Sequence, residues 1–305
     1  MSKFAGMNAR VVFPVGSLVY FCWFYYFVGL RAEHIGLYIG MVGFYFASAE
    51  TRRLVLAFGA FIVYWIIYDS LRVVPNYVVN PIHVLEPYVI EKNWFGISGP
   101  NGLPITLNEY FAQHTHPALD VISGLFYLGW VPVPLAFAYY LLRTDKPLFI
   151  RFSYAFLFTN LVGFAIYYLY PAAPPWYIEL HGFEIKHGTP GNPAGLLNFD
   201  AFFGINLFSG IYAKNANVFA AIPSLHSAYP VLCLLYGRYL GKWWVNLLFG
   251  IFVGGIWFAA VYSRHHYVID VAAGAATALA GYWLFEYLIN QTRLKSWLNA
   301  LLQRI

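Results

Sequence analysis

The chain has 305 residues, of which 60% are hydrophobic and only 10% are charged. A soluble domain carries about 25% charged residues, so this composition excludes an ordinary soluble fold and indicates an integral membrane protein. Aromatic residues reach 21% of the chain, and many of their rings are expected at the membrane interfaces, which favour amphipathic rings. The cations behind the net charge of +5 are scattered between apolar segments. This pattern favours a role in membrane orientation and argues against nucleic-acid binding.

Eight apolar segments are each predicted to form a transmembrane helix, because lipid offers no partner to an unpaired backbone group. The predicted fold class is therefore an all-α integral membrane protein with about eight transmembrane helices. Residues 1–50 hold the first two of these helices, residues 51–290 the other six, and residues 291–305 a tail. The predicted transmembrane segments are 11–30, 35–49, 54–70, 119–142, 148–170, 226–241, 243–262 and 268–290.

Lysine and arginine are distributed unequally between the two sides of this arrangement. Twelve of the 18 lie at the termini and at alternate turns, including a turn at 50–53, and six lie on the other side. The positive-inside rule then places both termini in the cytoplasm and the connections 71–118 and 171–225 outside. Asp69 and Glu286 lie at segment ends, where we expect them to face solvent.

The tail has a stripe of apolar residues flanked by cations. Its apolar positions follow one another at spacings of 3, 1, 3, 1 and 3, which predicts one face of a helix. We expect an amphipathic helix on the cytoplasmic leaflet, and the alternative is a helix packed on the bundle. The stripe consists of Leu294, Trp297, Leu298, Leu301, Leu302 and Ile305.

Two polar clusters interrupt apolar sequence on the predicted outer side, "AIPSLHSAYP" (221–230) and "YSRHHYVIDVAAG" (262–274). His266 and Asp270 are four residues apart. On a helix this spacing lets the carboxylate reach the imidazole and fix its tautomer. His226 belongs to the other cluster, at the predicted beginning of a helix.

That helix is predicted to begin between Ser224 and Ser227, with Pro230 in its first turn, where a missing amide hydrogen costs least. The unpaired amides at its N-terminus favour binding of a phosphate anion.

A histidine with its aspartate, a second histidine and an anion site together suit phosphoryl transfer through a phosphohistidine. One histidine attacks phosphorus, and the other protonates the departing alkoxide and then deprotonates the acceptor. The alternative is that these side chains are polar residues at the interface without a chemical role. Their convergence on one side of the membrane favours the chemical interpretation.

The two clusters resemble the second and third motifs of the phosphatidic acid phosphatase type 2 superfamily. Within it, the chain resembles the fungal inositol phosphorylceramide synthases, through "FTNLVGFAIYYLYPAAPPWY" (158–177), "TPGNPAGLLNFDAFFG" (189–204) and both clusters. The shared pattern covers roughly residues 150–275, and "NPIHVLEPYVIEKNWFGI" (80–97) is also similar. The resemblance implies that residues 51–290 form a six-helix catalytic core like that of the superfamily, and that residues 1–50 supply two additional N-terminal transmembrane helices.

This resemblance implies a triad of His266 as nucleophile, Asp270 as its orienting partner and His226 as general acid and base. It implies transfer of phosphoinositol from phosphatidylinositol to ceramide, or to another long-chain lipid alcohol, with release of diacylglycerol. It implies neither a metal nor a cofactor.

The chain departs from the superfamily's phosphatases at three cationic positions. Gly163 stands where they have a lysine, Tyr170 at the arginine of an Arg-Pro pair, and Ala260 at another arginine. A site with fewer cations favours a singly charged phosphodiester over a phosphomonoester. Four residues are predicted to bind the substrate or its phosphate: Ser224, Arg264, His265 and Tyr170.

Two other functions are alternatives to the transferase. A lipid phosphate phosphatase would use the same triad with water as acceptor. A transporter or lipid scramblase would be expected to have inverted repeats or ionisable residues near the bilayer midplane, which these segments lack.

Several polar and aromatic residues outside the two clusters have more than one interpretation. His114, His116 and Asp120 fit a metal site, a headgroup contact or a structural role at a helix N-terminus. Asp200 fits either recognition of inositol hydroxyls or a turn. Trp176 and Tyr177 are expected to anchor the chain at the membrane interface, and the alternative is that their rings stack on the substrate.

Overall fold

The structure is a computed structural model that describes residues 9–214 and 217–305. The predicted cytoplasmic N-terminus therefore lies outside the described residues. The chain forms two compact units, one ending at Val74 and including Arg304–Ile305, the other comprising Pro75–Gln303.

The described residues of the first unit form four α-helices. The predicted turn at 50–53 is wrong. The second helix ends before Ser48 and the third begins directly after it, so residues 50–53 are helical. The Ser48 hydroxyl accepts a hydrogen bond from the Thr51 amide at 3.1 Å and so caps the third helix. The helices are α1 (Ala9–Trp23), continued by a π-helical turn (Phe24–Val28), α2 (Ala32–Ala47), α3 (Ala49–Ala57) and α4 (Gly59–Ser70).

Asp69, at the end of α4, is only 5% exposed, so the prediction that it faces solvent is wrong. Its carboxylate accepts hydrogen bonds from Arg31 at 2.7 Å and Arg72 at 2.8 Å, and lies 2.8 Å from the His34 ring. These partners offset the cost of burying the carboxylate.

The second unit contains twelve α-helices among its described residues and one two-stranded antiparallel sheet. In that sheet β1 (Ile97–Ser98) pairs with β2 (Pro104–Ile105). The helices are α5 (Leu85–Phe95), α6 (Leu107–Gln113), α7 (Pro117–Leu128), α8 (Pro132–Thr144), α9 (Lys146–Leu169), α10 (Pro175–His181), α11 (Leu197–Phe203), α12 (Leu207–Tyr212), α13 (Leu225–Gly237), α14 (Trp243–Tyr262), α15 (Val268–Gln291) and α16 (Leu294–Leu302).

Within the described part of the chain, α9, α14 and α15 are long and apolar enough to cross a membrane. Two bent pairs, α3 with α4 at 51° and α7 with α8 at 45°, raise the number to five. These helices confirm a helical, multi-pass membrane protein. The predicted segments 11–30, 35–49 and 226–241 coincide with shorter helices, so the eight-helix arrangement stays a prediction.

The predicted segment 119–142 is broken in the structure between α7 and α8. Pro132 is the first residue of α8 and has no amide hydrogen to continue the ladder of α7. A proline at the first position of a helix is tolerated, so the chain bends here and resumes as a new helix.

Close backbone approach holds α13 against α9 and α15. A Cβ on Gly274 of α15 would lie 2.1 Å from the Ser224 carbonyl oxygen, and a Cβ on Gly163 of α9 would lie 2.7 Å from the Leu225 side chain. Neither position accepts a larger residue without movement of its neighbours. This packing presents the beginnings of α13 and α15 to each other.

At the opposite end of these helices, Glu286 receives two hydrogen bonds from the Arg151 guanidinium, at 3.2 and 2.6 Å. The Tyr236 hydroxyl donates a third at 2.8 Å. The prediction that Glu286 faces solvent is wrong, because this ion pair draws it against α9 and α13.

The two long connections pair with each other through short backbone segments. Ala172 forms bridges to both His83 and Ala220. The buried side-chain amide of Asn76 donates to the carbonyls of Tyr167 and Phe219 at 2.8 and 2.7 Å. The connection that precedes α13 is therefore held next to the end of α9.

Trp176 and Tyr177 belong to the core of the region where the two long connections pair, at 4% and 0% exposure. The prediction that they anchor the membrane interface is wrong. They pack in one apolar cluster with Ile82 and Phe219, because the folded connections need a core of their own.

The tail forms α16 as predicted, and its stripe packs on the second unit. Leu298 is 5% exposed, and the Trp297 ring meets Tyr154 of α9 edge-on, with centroids 5.1 Å apart. These contacts favour the alternative in which the tail packs on the bundle. Its position relative to the cytoplasmic leaflet stays a prediction.

Candidate active site

The helix α13 begins at Leu225, within the predicted interval, and Ser224 caps it. The Ser224 hydroxyl accepts hydrogen bonds from the Ser227 amide at 3.3 Å and the Ser227 hydroxyl at 2.9 Å. Pro230 lies in the second turn, so its predicted place in the first turn is wrong. Its missing amide hydrogen leaves the His226 carbonyl without a helical donor.

The structure brings His226 and His266 together from 40 residues apart in the chain, with Nδ1 of His226 3.3 Å from Nε2 of His266. On its other side, Nδ1 of His266 lies 3.4 Å from Oδ2 of Asp270. Asp270 and His266 are buried, and His226 is half-buried. The three predicted catalytic residues therefore form one continuous row.

The aspartate is fixed by the backbone on both sides. Its Oδ2 accepts a hydrogen bond from the Tyr267 amide at 2.8 Å, which caps α15. Its carbonyl oxygen accepts from the Ser224 amide at 3.0 Å. This second bond ties the two sequence motifs directly to each other, and it engages the Ser224 amide that was predicted to bind phosphate.

Glu91 is a site residue that the sequence did not reveal. It is completely buried, and its two carboxylate oxygens accept hydrogen bonds from the Val268 and Ile269 amides at 3.0 and 3.1 Å. Burial is the main cause that raises the pKa of Glu91. The two amides lower this pKa, and the charge of Asp270 raises it further. One available signal was its place in the segment 80–97, which shares the family pattern.

Two aromatic residues at the bend between α7 and α8 also contact the site. The Tyr127 hydroxyl lies 3.3 Å from Nδ1 of His226, and the Trp130 ring meets His226 edge-on at 4.6 Å between centroids. The bend thus provides a wall for the half-buried histidine.

Arg264 and His265 have other partners in the structure. Arg264 has a φ of +62°, rare for a residue with a side chain, and its Nε lies 3.1 Å from Oε2 of Glu179. Nε2 of His265 lies 3.0 Å from the Pro193 carbonyl oxygen, and its ring stacks on Tyr212. Burial is the main cause that lowers the pKa of His265, so it is neutral near pH 7. The predicted phosphate contacts of both residues stay predictions.

The Tyr170 ring stacks on His83, with centroids 3.9 Å apart. Its neighbour Pro171 accepts a hydrogen bond from the His83 amide at 2.8 Å. Tyr170 therefore lies where the two long connections join the end of α9, and its substrate contact stays a prediction.

The contacts of the 114–120 segment and of Asp200 favour their structural interpretations, and the headgroup contact and the recognition of inositol hydroxyls stay predictions. His116 caps α7, since its Nδ1 accepts from the Ala118 amide at 3.2 Å. Asp120 accepts from the Tyr262 hydroxyl at 2.8 Å. Asp200 accepts from the amides of Phe208 and Ser209 at 3.0 and 2.9 Å, as a turn residue does.

The protonation state of His266 suits a nucleophile. Burial lowers its pKa to about 4, against the smaller opposite effect of the Ala221 carbonyl. The imidazole is then neutral at pH 7. When Nδ1 carries the hydrogen towards Asp270, the lone pair of Nε2 faces His226, so one nitrogen is available for attack and an acid–base group lies beside it.

Comparison with known proteins identifies the family. Residues 104–284, more than half of the chain, match the PAP2 superfamily. The chain belongs to the PAP2 superfamily. No solved structure matches it.

The relatives of this PAP2 superfamily member are named as sphingolipid synthases. A phosphoinositol dihydroceramide synthase of Bacteroides thetaiotaomicron is 48% identical over 87% of this chain and 88% of the relative. An inositol phosphorylceramide synthase of Candida albicans is 30% identical, and a catalytic subunit of that enzyme from Saccharomyces cerevisiae is 31% identical, each over 59% of this chain. These matches cover 39% and 45% of the two fungal proteins. The resemblance predicted from the motifs is confirmed.

The departures from the superfamily's phosphatases lie close to the site. Gly163 packs against Leu225, the residue before His226, and has no room for a lysine without rearrangement. Ala260 is completely buried, and its carbonyl accepts hydrogen bonds from the amides of His265 and His266, both at 3.1 Å. In this member the two positions pack the site and supply no charge to it.

Proposed function

We propose that this protein is a phosphoinositol transferase that moves phosphoinositol from phosphatidylinositol to ceramide or another long-chain lipid alcohol, with release of diacylglycerol. One observation carries the proposal. The row of His226, His266 and Asp270 is present in a chain whose 48% identical relative, matched over most of both lengths, is named a phosphoinositol dihydroceramide synthase.

The proposed reaction has two steps. In the first, Nε2 of His266 attacks phosphorus, the bond from phosphorus to the diacylglycerol oxygen breaks, and protonated His226 gives its proton to that oxygen. In the second, His226 takes the proton of the acceptor hydroxyl, the acceptor oxygen attacks phosphorus, and the bond to His266 breaks. Asp270 stabilises the cationic ring of the phosphohistidine.

The positive end of α13 supports phosphate binding in this scheme. The amides of Leu225 and His226 are the first two of the helix and have no intrahelical acceptor. They and the helix dipole favour one negative charge next to the two histidines. Four further residues are proposed as substrate contacts: Ser224, Arg264, His265 and Tyr170.

A lipid phosphate phosphatase is the second candidate, because the same three residues would transfer the phosphoryl group to water. The packing at Gly163 and Ala260 supports the transferase, since a dianionic phosphomonoester would lack countercharge in a buried site. That cost reaches several kcal/mol, whereas a monoanionic diester loses less.

The experiment that tests the proposal supplies the purified protein with labelled phosphatidylinositol or phosphatidic acid in one detergent, with and without ceramide. We expect ceramide-dependent formation of inositol phosphorylceramide, and a kcat/KM for phosphatidylinositol at least about 100-fold above that for phosphatidic acid. Equal or faster release of inorganic phosphate from phosphatidic acid would identify a phosphatase.

The proposed topology has eight transmembrane helices, cytoplasmic termini and an active site on the lumenal or periplasmic side. His187 is exposed in the outer connection, so a His187→Cys variant in a Cys22→Ser background reports its side. We expect an impermeant thiol reagent to label it from outside intact cells. Labelling that requires access from the cytoplasmic side would contradict this topology.

A further inference from the structure

A cleft with both polar and apolar lining opens beside the segment that carries the proposed nucleophile, and the proposed chemistry does not account for it. The cleft has a volume of about 260 Å³ and lies between α5, α6, α10 and residues 264–267. Its apolar lining includes Pro175 and Ile178. Its polar lining includes Tyr88, Asn108, Glu109, Gln113, Glu179 and Arg264.

The cleft shares its wall with the catalytic row. The buried Asn108 side chain donates to the carbonyls of Val261 and His266, both at 2.9 Å, and so holds the nucleophile segment from the cleft side. Tyr267, the next residue, also lines the cleft. Arg264 reaches it through the left-handed backbone conformation noted above, a strain that folded proteins retain mainly at functional sites.

The charges of the cleft select the kind of ligand. One guanidinium, of Arg264, faces two carboxylates, of Glu109 and Glu179, so the charged lining is net negative and charge alone does not attract an anion to it. Carboxylates, an amide and a tyrosine hydroxyl are instead hydrogen-bonding partners for a neutral ring that carries several hydroxyls. The apolar lining suits the C–H face of such a ring.

Hydrogen-bonding capacity remains unused in this lining. Among the described residues of the lining, Oδ1 of Asn108 is buried without a hydrogen-bond partner. Nε of Arg264 is also buried, and its one close partner is the Glu179 carboxylate of the ion pair. Oε1 of Glu109 accepts from the Tyr88 hydroxyl at 2.9 Å, which orients one carboxylate edge. A buried unpaired acceptor costs free energy, and hydroxyl groups of a ligand would satisfy it.

We infer that this cleft binds the polyhydroxylated ring of the donor's headgroup, with hydroxyls on Glu179, Glu109 and Asn108, and with Arg264 at the end nearest the phosphodiester. The inference rests on the proposed function and adds to it the residues that select an inositol donor over donors with other headgroups.

The test compares the full-length wild type with Glu179→Gln and Tyr88→Phe in mixed micelles. Each variant should raise KM for phosphatidylinositol about tenfold, the effect of one lost or misaligned hydrogen bond, and leave KM for ceramide unchanged. Glu184→Gln is the matched control, because Glu184 is an exposed carboxylate in the same connection and does not line the cleft.

A binding titration makes the result independent of turnover. Glycerophosphoinositol, the deacylated headgroup, should bind the wild type and Glu184→Gln alike in calorimetry, and about tenfold more weakly to Glu179→Gln. Glycerophosphoglycerol should not distinguish these proteins.

Unchanged KM for phosphatidylinositol in both cleft variants, together with equal affinity for glycerophosphoinositol, would overturn the inference even if the wild type makes inositol phosphorylceramide. A wild type that forms no such product would overturn the proposed function instead. The titration with glycerophosphoinositol would then still decide whether the cleft binds the ring.

Discussion

The helices α13 and α15 carry buried polar groups at both ends, and the two ends are built differently. At one end, Glu286 accepts two hydrogen bonds from Arg151 and one from Tyr236, so its oxygens are saturated. At the other end, His266 lies between His226 and Asp270 at 3.3 and 3.4 Å, longer than well-formed hydrogen bonds.

The difference separates a structural group from a reactive one. A saturated bidentate ion pair has one arrangement and stabilises the packing of the helices around it. Imidazoles in loose contact keep lone pairs and protons available, and such contacts tighten when substrate binds. Substitutions at the first end should change stability, and substitutions at the second should change turnover.

The largest effect is expected at His266, the proposed nucleophile. His266→Ala should lower kcat for transfer at least about 10⁴-fold, and Asp270→Asn about 10³-fold, because the first removes the attacking atom and the second its orientation. Product formation from labelled phosphatidylinositol measures both. His114→Ala, an exposed histidine outside the site, is the control. Substantial activity of His266→Ala would move the nucleophile to His226.

The pH dependence of kcat/KM should report on the histidine end of these helices in the unsubstituted protein. Because the pKa of His266 is lowered from 6.5 to about 4, the nucleophile stays neutral until the pH falls to that range. The acid limb of kcat/KM due to His266 should lie near pH 4, and a limb near pH 6.5 would contradict the burial argument.

The lowered pKa of His266 also makes the free energy of unfolding depend on pH. Between pH 6.5 and about 4, the unfolded chain binds a proton at His266 and the folded protein does not. The stability contributed by neutral His266 is therefore complete above pH 6.5. It is lost as the pH falls through that window. Thermal unfolding in detergent measures it.

The opposite end should respond in stability alone. Glu286→Gln leaves Arg151 without its charge partner and should lower the free energy of unfolding by about 2 kcal/mol, a value reduced because Arg151 is partly solvated. Turnover below the unfolding temperature should match the wild type. An Arg151→Met, Glu286→Met double variant should recover much of the loss, and a fall in kcat in either protein would break the distinction between the ends.

A smaller effect is expected at Glu91, where a substitution should change both stability and turnover. Glu91→Gln keeps one acceptor for the α15 amides and loses the charge at the helix N-terminus, which should cost about 1 kcal/mol of stability. Because α15 carries Asp270, kcat should fall about tenfold with KM for phosphatidylinositol unchanged. Glu86→Gln, on the exposed face of α5, should have no effect, and an unchanged kcat in Glu91→Gln would reduce Glu91 to a helix cap.

The sequence by itself determined the features that depend on neighbours within one helical turn. Apolar segments predicted helices, and the spacing of His266 and Asp270 placed the imidazole beside its carboxylate, because i and i+4 residues share a helix face. Similarly, the apolar stripe predicted α16, and the polar start of α13 predicted its first residue to within three positions. The motifs also identified the family.

Only the tertiary structure decided what depends on residues distant in sequence. It brought His226 to His266 across 40 residues and Glu91 to the start of α15 across 177, and it buried Asp69 and Trp176 against the expectation from their positions. Local periodicity records which face of a helix is apolar, but it does not record which partner covers that face or which distant carboxylate meets a free helix end. Those contacts are set by how whole helices pack, where small residues such as Gly274 and Gly163 let two backbones come close.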